Sequence, residues 1–178
     1  MGAAVRFHPV EILLDASDKD YKTDGLIEIE GIEVCLLEAL GHHGLKDLGR
    51  FGYDHVKGSF GALTFMRKIL KTWCFAKEDT LCKLKVFFIH ARGKKMHLWA
   101  LEMPALEVQV EHLVSSEILL KASEAGGILD VGNLAWKLKD CLKKTSGTLT
   151  NKKKEHEDCL LFQQLGLEVS YSTLNRGQ

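Results

Sequence analysis

Asp24-Gly25-Leu26-Ile27-Glu28-Ile29-Glu30-Gly31-Ile32-Glu33-Val34-Cys35-Leu36-Leu37-Glu38 is the stretch whose reading decides the fold. Two strand-like runs, residues 26–29 and 33–37, flank Glu30-Gly31. Apolar residues alternate in the first run, and a glycine in a two-residue connection is hairpin chemistry. Asp24 opens the first run and Glu38 closes the second, so closing the hairpin draws two distant carboxylates to one end of the sheet. Tyr53-Asp54-His55-Val56-Lys57-Gly58 follows and opens an expected helix carrying His55 and Lys57. Two acids and a nearby lysine are the minimum set for phosphodiester chemistry assisted by Mg²⁺ (or Mn²⁺).

Working outward, residues 41–52 hold four glycines with His42, His43, Lys46 and Arg50, a loop expected beside the acid pair. The apolar residues Val56, Phe60, Leu63, Met66, Leu70 and Trp73 recur at three- and four-residue spacing, which predicts a helix over 54–76 with Asp54 as its cap. Gly58 and Gly61 lower its propensity and point to close backbone approach to the hairpin. Lys85-Val86-Phe87-Phe88-Ile89-His90 predicts a central strand buried on both faces. Residues 96–103 and 107–114 alternate as further strands, and 131–142 reads as a second amphipathic helix. Before the hairpin, Pro9 and the apolar group at 10–14 suggest a helical turn, and 15–24 reads as a loop.

The chain has 178 residues, 46% of them apolar, enough for one domain with a real core. Its 24 basic and 24 acidic side chains balance. That balance argues against a protein that coats nucleic acid through charge alone and leaves room for a local basic patch. The five cysteines show no Cys-x-x-Cys spacing and read as reduced thiols of an intracellular protein, nuclear or cytoplasmic. No apolar run is long enough to span a bilayer. The expected organisation is a domain over 1–145 and a charged tail or short appended helix over 146–178, with residues 146–151 as a linker.

Each candidate has a plainer reading. Asp24 before Gly25 is also common turn chemistry. Glu38 after an apolar run needs a cation or donors if buried. His55 and Lys57 also suit a solvated first turn, and His90 a core histidine. The lysines at 143, 144 and 152–154 suit a solvated face, or else a phosphate-tracking or nuclear-import patch. His42 and His43 lack the further ligands a transition metal needs.

The order of elements resembles the PD-(D/E)XK, restriction-endonuclease-like superfamily: a hairpin bearing Asp24 and then Glu38, a helix, then buried strands. More specifically, four phrases resemble a family of uncharacterised fungal proteins. They are Asp18-Lys19-Asp20-Tyr21-Lys22-Thr23-Asp24-Gly25, Glu33-Val34-Cys35-Leu36-Leu37-Glu38, Tyr53-Asp54-His55-Val56-Lys57-Gly58-Ser59-Phe60-Gly61 and Lys83-Leu84-Lys85-Val86-Phe87-Phe88-Ile89-His90-Ala91. The resemblance covers roughly residues 15–145. It implies a mixed α/β fold, a central sheet flanked by helices, and a nuclease in which Asp24 and Glu38 hold Mg²⁺ or Mn²⁺. Where the superfamily motif keeps a lysine two residues after the glutamate, this chain has Leu40. Lys57 on the following helix then takes that role, where the positive end of the helix dipole would lower its pKa. His55, Arg50 and Lys46 are the expected substrate contacts. Leu40 and the neutral charge also fit an alternative, a catalytically silent module of this fold that binds nucleic acid, a protein partner or a second copy.

Overall fold

The computed structural model describes residues 3–17, 21–39, 48–92, 94–117 and 126–166, and only the backbone for 48–54, 92, 106 and 126. One mixed six-stranded sheet runs in the order β1-β4-β5-β6-β7-β8. Its strands are β1 (Val5–His8), β4 (Gly25–Ile29), β5 (Ile32–Ala39), β6 (Lys85–Arg92), β7 (Lys95–Glu102) and β8 (Gln109–Glu117). β2 (Ile12–Leu13) and β3 (Lys22–Thr23) form a small separate pair. All neighbours in the large sheet are antiparallel except β5 and β6, which run parallel. Parallel neighbours need a crossover, and the helix α1 (Leu48–Thr72) provides it.

The β4–β5 hairpin forms as its sequence predicts. Glu30 and Gly31 both take positive φ, 52° and 81°, the two-residue geometry that matches strand twist. At the chain start, the expected helical turn is instead β1 and β2. Val5 to His8 pair with Ile29 to Leu26, so sheet hydrogen bonds override the helical signal of Pro9.

β6 is the expected central strand. Val86, Phe87, Phe88, Ile89 and His90 are all buried. α1 packs over β5 and β6 on one face and reaches β7 only slightly. The long helix α3 (Gly126–Gln164) lies against the other face. There Leu134 and Leu149 join the core, and Thr145 donates to the Lys85 carbonyl at 2.9 Å. Cys35 alternates away from α1 and lies near Cys141 of α3, and burial pushes its thiol pKa up.

Two details of α1 differ from the sequence reading. The helix starts at Leu48, so Asp54 lies inside it rather than capping it. Lys57 therefore sits in the third turn, where the terminal dipole has faded. The expected stripe is also rotated, because Val56 and Phe60 are exposed. The face on the sheet is Gly58, Gly61, Ala62, Phe65, Met66 and Ile69. Small residues let the backbones approach closely. A Cβ on Gly61 would lie 2.4 Å from Leu36 Cδ2 of the hairpin, and one on Gly58 2.7 Å from Phe88 Cδ2 of β6.

The segment 146–151, read as a linker, is the middle of α3. Leu149 and Lys152 are buried there, so packing overrides its polar composition. Lys152 belongs to a cluster read as solvated. It instead donates to the Trp73 carbonyl at 3.0 Å, satisfying an acceptor just beyond the end of α1. Burial lowers its pKa to about 8. Glu155 accepts from the Lys77 amide at 2.9 Å and from Thr80 Oγ1 at 2.8 Å in α2 (Glu78–Leu81), fastening the same corner. Among the described residues, no helix is long and apolar enough to cross a membrane.

Candidate functional site

β5 carries Glu38 at its end, on the face that α1 covers. The residue is 4% exposed. A carboxylate so far from water needs a cation or strong donors. Lys57 supplies one, with Nζ 2.7 Å from Glu38 Oε2. Lys57 keeps 29% of its side chain exposed, so the pair lies at the rim of the core rather than in its middle. Tyr21 braces it. The phenol hydroxyl donates to the Lys57 carbonyl at 2.5 Å and stands 3.5 Å from Glu38 Oε1. The Lys57 ammonium also lies 5.2 Å from the Tyr21 ring centre, a cation–π contact.

Asp24 precedes β4, whose first residue, Gly25, pairs with Leu37 beside Glu38. Its amide donates to the Leu37 carbonyl at 3.0 Å, and its Oδ2 accepts from the Ala39 amide at 2.7 Å. Asp24 is thus fastened to the residues on either side of Glu38. The structure therefore gathers three of the expected residues, Asp24, Glu38 and Lys57, at one corner of the hairpin and helix. Asp24 and Glu38 present carboxylate oxygens, the donor type that a hard divalent cation takes. Mg²⁺ takes oxygen ligands, needs only one or two carboxylates, and completes its shell with water and phosphate oxygens. Among the described residues, no group of three or more His, Cys, Asp or Glu is placed to share a metal ion.

Of the expected substrate contacts His55, Arg50 and Lys46, only His55 has a described side chain. His55 is not part of a solvated turn. Its ring meets Trp99 edge-on at 4.6 Å and Phe88 at 5.4 Å, and its Nδ1 is buried without a hydrogen-bond partner. Burial lowers its pKa. Arg50 belongs to α1, but its side chain lies outside the described residues, as do Leu40, His42, His43 and Lys46.

A longer feature escaped the sequence reading. Register pairs Glu38 with His90, His90 with His97, and His97 with Ser115. Laterally paired residues point to the same face, so a polar row crosses β5 to β8 on the α1 side. His90 is fully buried. At the far end, Ser115 Oγ lies 2.7 Å from His97 Nδ1 and 2.9 Å from His112 Nε2. Counting back from the β6–β7 turn would have placed His90 opposite His97. Tyr21 left no such signal, because it reaches the site from an irregular segment.

The chain matches no protein-family model, no curated protein and no solved structure.

Proposed function

We propose that this domain is a metal-dependent nuclease of the PD-(D/E)XK type, with its centre at Asp24, Glu38 and Lys57. The observation that carries the reading is the 2.7 Å contact between Lys57 Nζ and Glu38 Oε2 on the strand beside Asp24. It is what a lysine moved from strand to helix would make. The order of elements supports it too: an antiparallel meander, a crossover helix, then a parallel strand.

Asp24 and Glu38 would hold the ion, Asp24 through whichever oxygen the Ala39 amide leaves available. A bound Mg²⁺ or Mn²⁺ supplies Lewis-acid polarisation of the phosphate and a water of lowered pKa. Lys57 neutralises Glu38 in the free protein. With substrate present it offers the same ammonium to charge developing on the phosphate oxygens. Tyr21 holds the Lys57 backbone in place while its side chain changes partner.

The test is cleavage of single- and double-stranded DNA and RNA with Mg²⁺, Mn²⁺ or EDTA, using wild type, Asp24→Asn and Glu38→Gln. Metal-dependent cutting that both substitutions abolish, with folding intact, is the expected result. The second reading, a silent module, draws on the same contact, since Lys57 and Glu38 already satisfy one another. A protein that binds nucleic acid but cuts none with either metal would establish it.

A further inference from the structure

Helix α3 is long for the layer it covers. At about 1.5 Å per residue its 39 residues run about 58 Å, roughly twice the length of β8, the longest strand of the sheet. One side of the helix is closed within the domain, where Leu134, Thr145, Leu149, Lys152 and Cys159 are buried. The opposite side is an open stripe with apolar ends. Leu129 is 72% exposed and Trp136 69% near its start, and Leu161 is 53% and Leu165 63% exposed near its finish. Leu165 continues the last turn, its amide donating to the Leu161 carbonyl at 3.1 Å. Between these ends the stripe carries Asp140, Gly147 and Lys154. A lone exposed leucine is ordinary. Four large apolar residues on the side turned from the core are not what a solvated helix face carries.

The stripe is complementary to itself. Gly147 is its midpoint, with Leu129 and Leu165 eighteen residues to either side, and Asp140 and Lys154 seven. A Cβ at Gly147 would meet nothing within 4 Å, so packing within the chain does not require the glycine, which weakens the helix. It does let a second backbone come close. Laid antiparallel with Gly147 against Gly147, a second α3 sets its Leu165 on Leu129 and its Lys154 beside Asp140. Trp136 then lies between the second copy's Asp158 and Leu161, an acceptor for the indole N–H and an apolar bed for the ring. Two-fold symmetry makes each of these contacts twice. Parallel pairing would instead set Lys143 and Lys154 against their own copies, so charge selects the antiparallel arrangement. Asp140 already stands 2.8 Å from Lys144 of its own helix, but both are exposed, and such a pair holds weakly. The Lys139 ammonium lies 4.7 Å from the Trp136 ring centre and leaves most of the indole open.

We propose that the outer stripe of α3 is a self-pairing surface, which receives the α3 of a second copy of this chain, antiparallel, with Gly147 at the two-fold axis. Contact from Leu129 to Leu165 spans about 54 Å, and a strip about 10 Å wide then covers roughly 500 Å² on each copy. That is near the lower limit for a specific interface, so the dimer is weak and depends on concentration. α1 and the Asp24–Glu38–Lys57 corner lie on the other face of the sheet, so the pairing leaves that corner open in both copies. It does not rest on the nuclease reading.

Sedimentation equilibrium over about 1–200 µM protein tests the pairing. Wild type is expected to show a reversible monomer–dimer equilibrium. Trp136→Lys and Leu165→Glu are each expected to raise Kd at least tenfold, to about the loss seen at a central contact. Asp140→Lys and Lys154→Asp each set like charges together twice and are expected to raise Kd about tenfold. Combining them is expected to return Kd to within about threefold of wild type. Circular dichroism and thermal unfolding check that these exposed substitutions leave the fold intact. A monomer throughout the range would overturn the pairing and give the stripe to a different occupant. A dimer of wild-type Kd in folded Trp136→Lys and Leu165→Glu proteins would place the interface elsewhere and overturn it too. A charge-swapped double variant no tighter than its single variants would overturn the antiparallel register.

Discussion

Strand β5 carries two buried glutamates near its two ends, and they are held in different ways. Glu33 and Glu38 are each 4% exposed, so burial does not separate them. Their donors do. Glu33 accepts from the backbone amides of Asp15 at 2.8 Å and Ala16 at 2.6 Å, in a cleft it shares with Phe65, Lys68 and Ile69 of α1. Glu38 is held by the Lys57 ammonium, with the Tyr21 hydroxyl nearby. Amide donors fixed in a chain turn leave only if the turn unfolds. An ammonium on a four-carbon stem leaves by rotating about single bonds. The first arrangement fastens the segment before β3 to the sheet. The second can exchange its cation for a ligand. Equal burial of equal side chains thus marks a fold device at one end of a strand and a candidate centre at the other.

The sharpest way to break this comparison is to neutralise each glutamate in turn. Glu38→Gln is expected to lower metal-dependent cleavage by about 100-fold or more, and Asp24→Asn likewise, with thermal unfolding nearly unchanged. Glu33→Gln is expected to leave cleavage within about threefold of wild type. Lys57→Ala is expected to lower kcat by about 100-fold and to alter KM little, as for a group acting in the transition state. Equal loss of activity at Glu33 and Glu38 would erase the distinction.

Stability is expected to respond in the opposite order. Glu33→Ala leaves two amides without their acceptor and is expected to lower unfolding stability by about 2–3 kcal/mol in urea titrations. The contact between α1 and the hairpin should be sensitive as well. Gly61→Ala forces a Cβ against Leu36 and the Tyr21 hydroxyl. It is expected to cost about 1–3 kcal/mol and to disturb cleavage through Tyr21 and Lys57. A neutral Gly61→Ala would mean that α1 can slide away from β5.

The smallest expected effect is in pH dependence, where the two ends of the layer have opposite sign. Desolvation raises the Glu33 pKa above its ordinary 4.5, outweighing its two backbone hydrogen bonds. The folded chain then keeps that proton longer than the unfolded one. The associated stability is full below pH 4.5 and is lost as pH rises through the raised value. Desolvation lowers the His55 pKa below 6.5. Its contribution is full above pH 6.5 and is lost as pH falls through the lower folded value. Urea midpoints measured from pH 4 to 8 are expected to lose the first trend in Glu33→Gln and the second in His55→Phe. If each variant keeps the slope of wild type, other groups govern both limbs.

Much of the sheet was legible from local pattern alone. The hairpin needed only alternating residues and a turn able to take positive φ, and β6 only a run of apolar residues. Both are short-range signals, because strand period and turn geometry are properties of a few consecutive residues. Asp24, Glu38 and Lys57 could be singled out because the hairpin and the next helix are adjacent in sequence. The register of α1 was not legible. Bulky residues at helical spacing, Val56 and Phe60, suggested the buried face, whereas the glycines at 58 and 61 let that face approach the sheet. Which of two competing faces packs depends on the shape of the partner surface, here Leu36 and Phe88. The roles of Glu33, Tyr21 and Lys152 were hidden for a related reason. Each is defined by a partner at least 17 residues away, and composition carries no record of such distances. The sequence by itself determined the strands, the hairpin and the residue types that could do chemistry. Only the tertiary structure decided which buried charge is held by rigid backbone and which by a movable side chain, because desolvation and pairing belong to the packed chain and not to any segment of it.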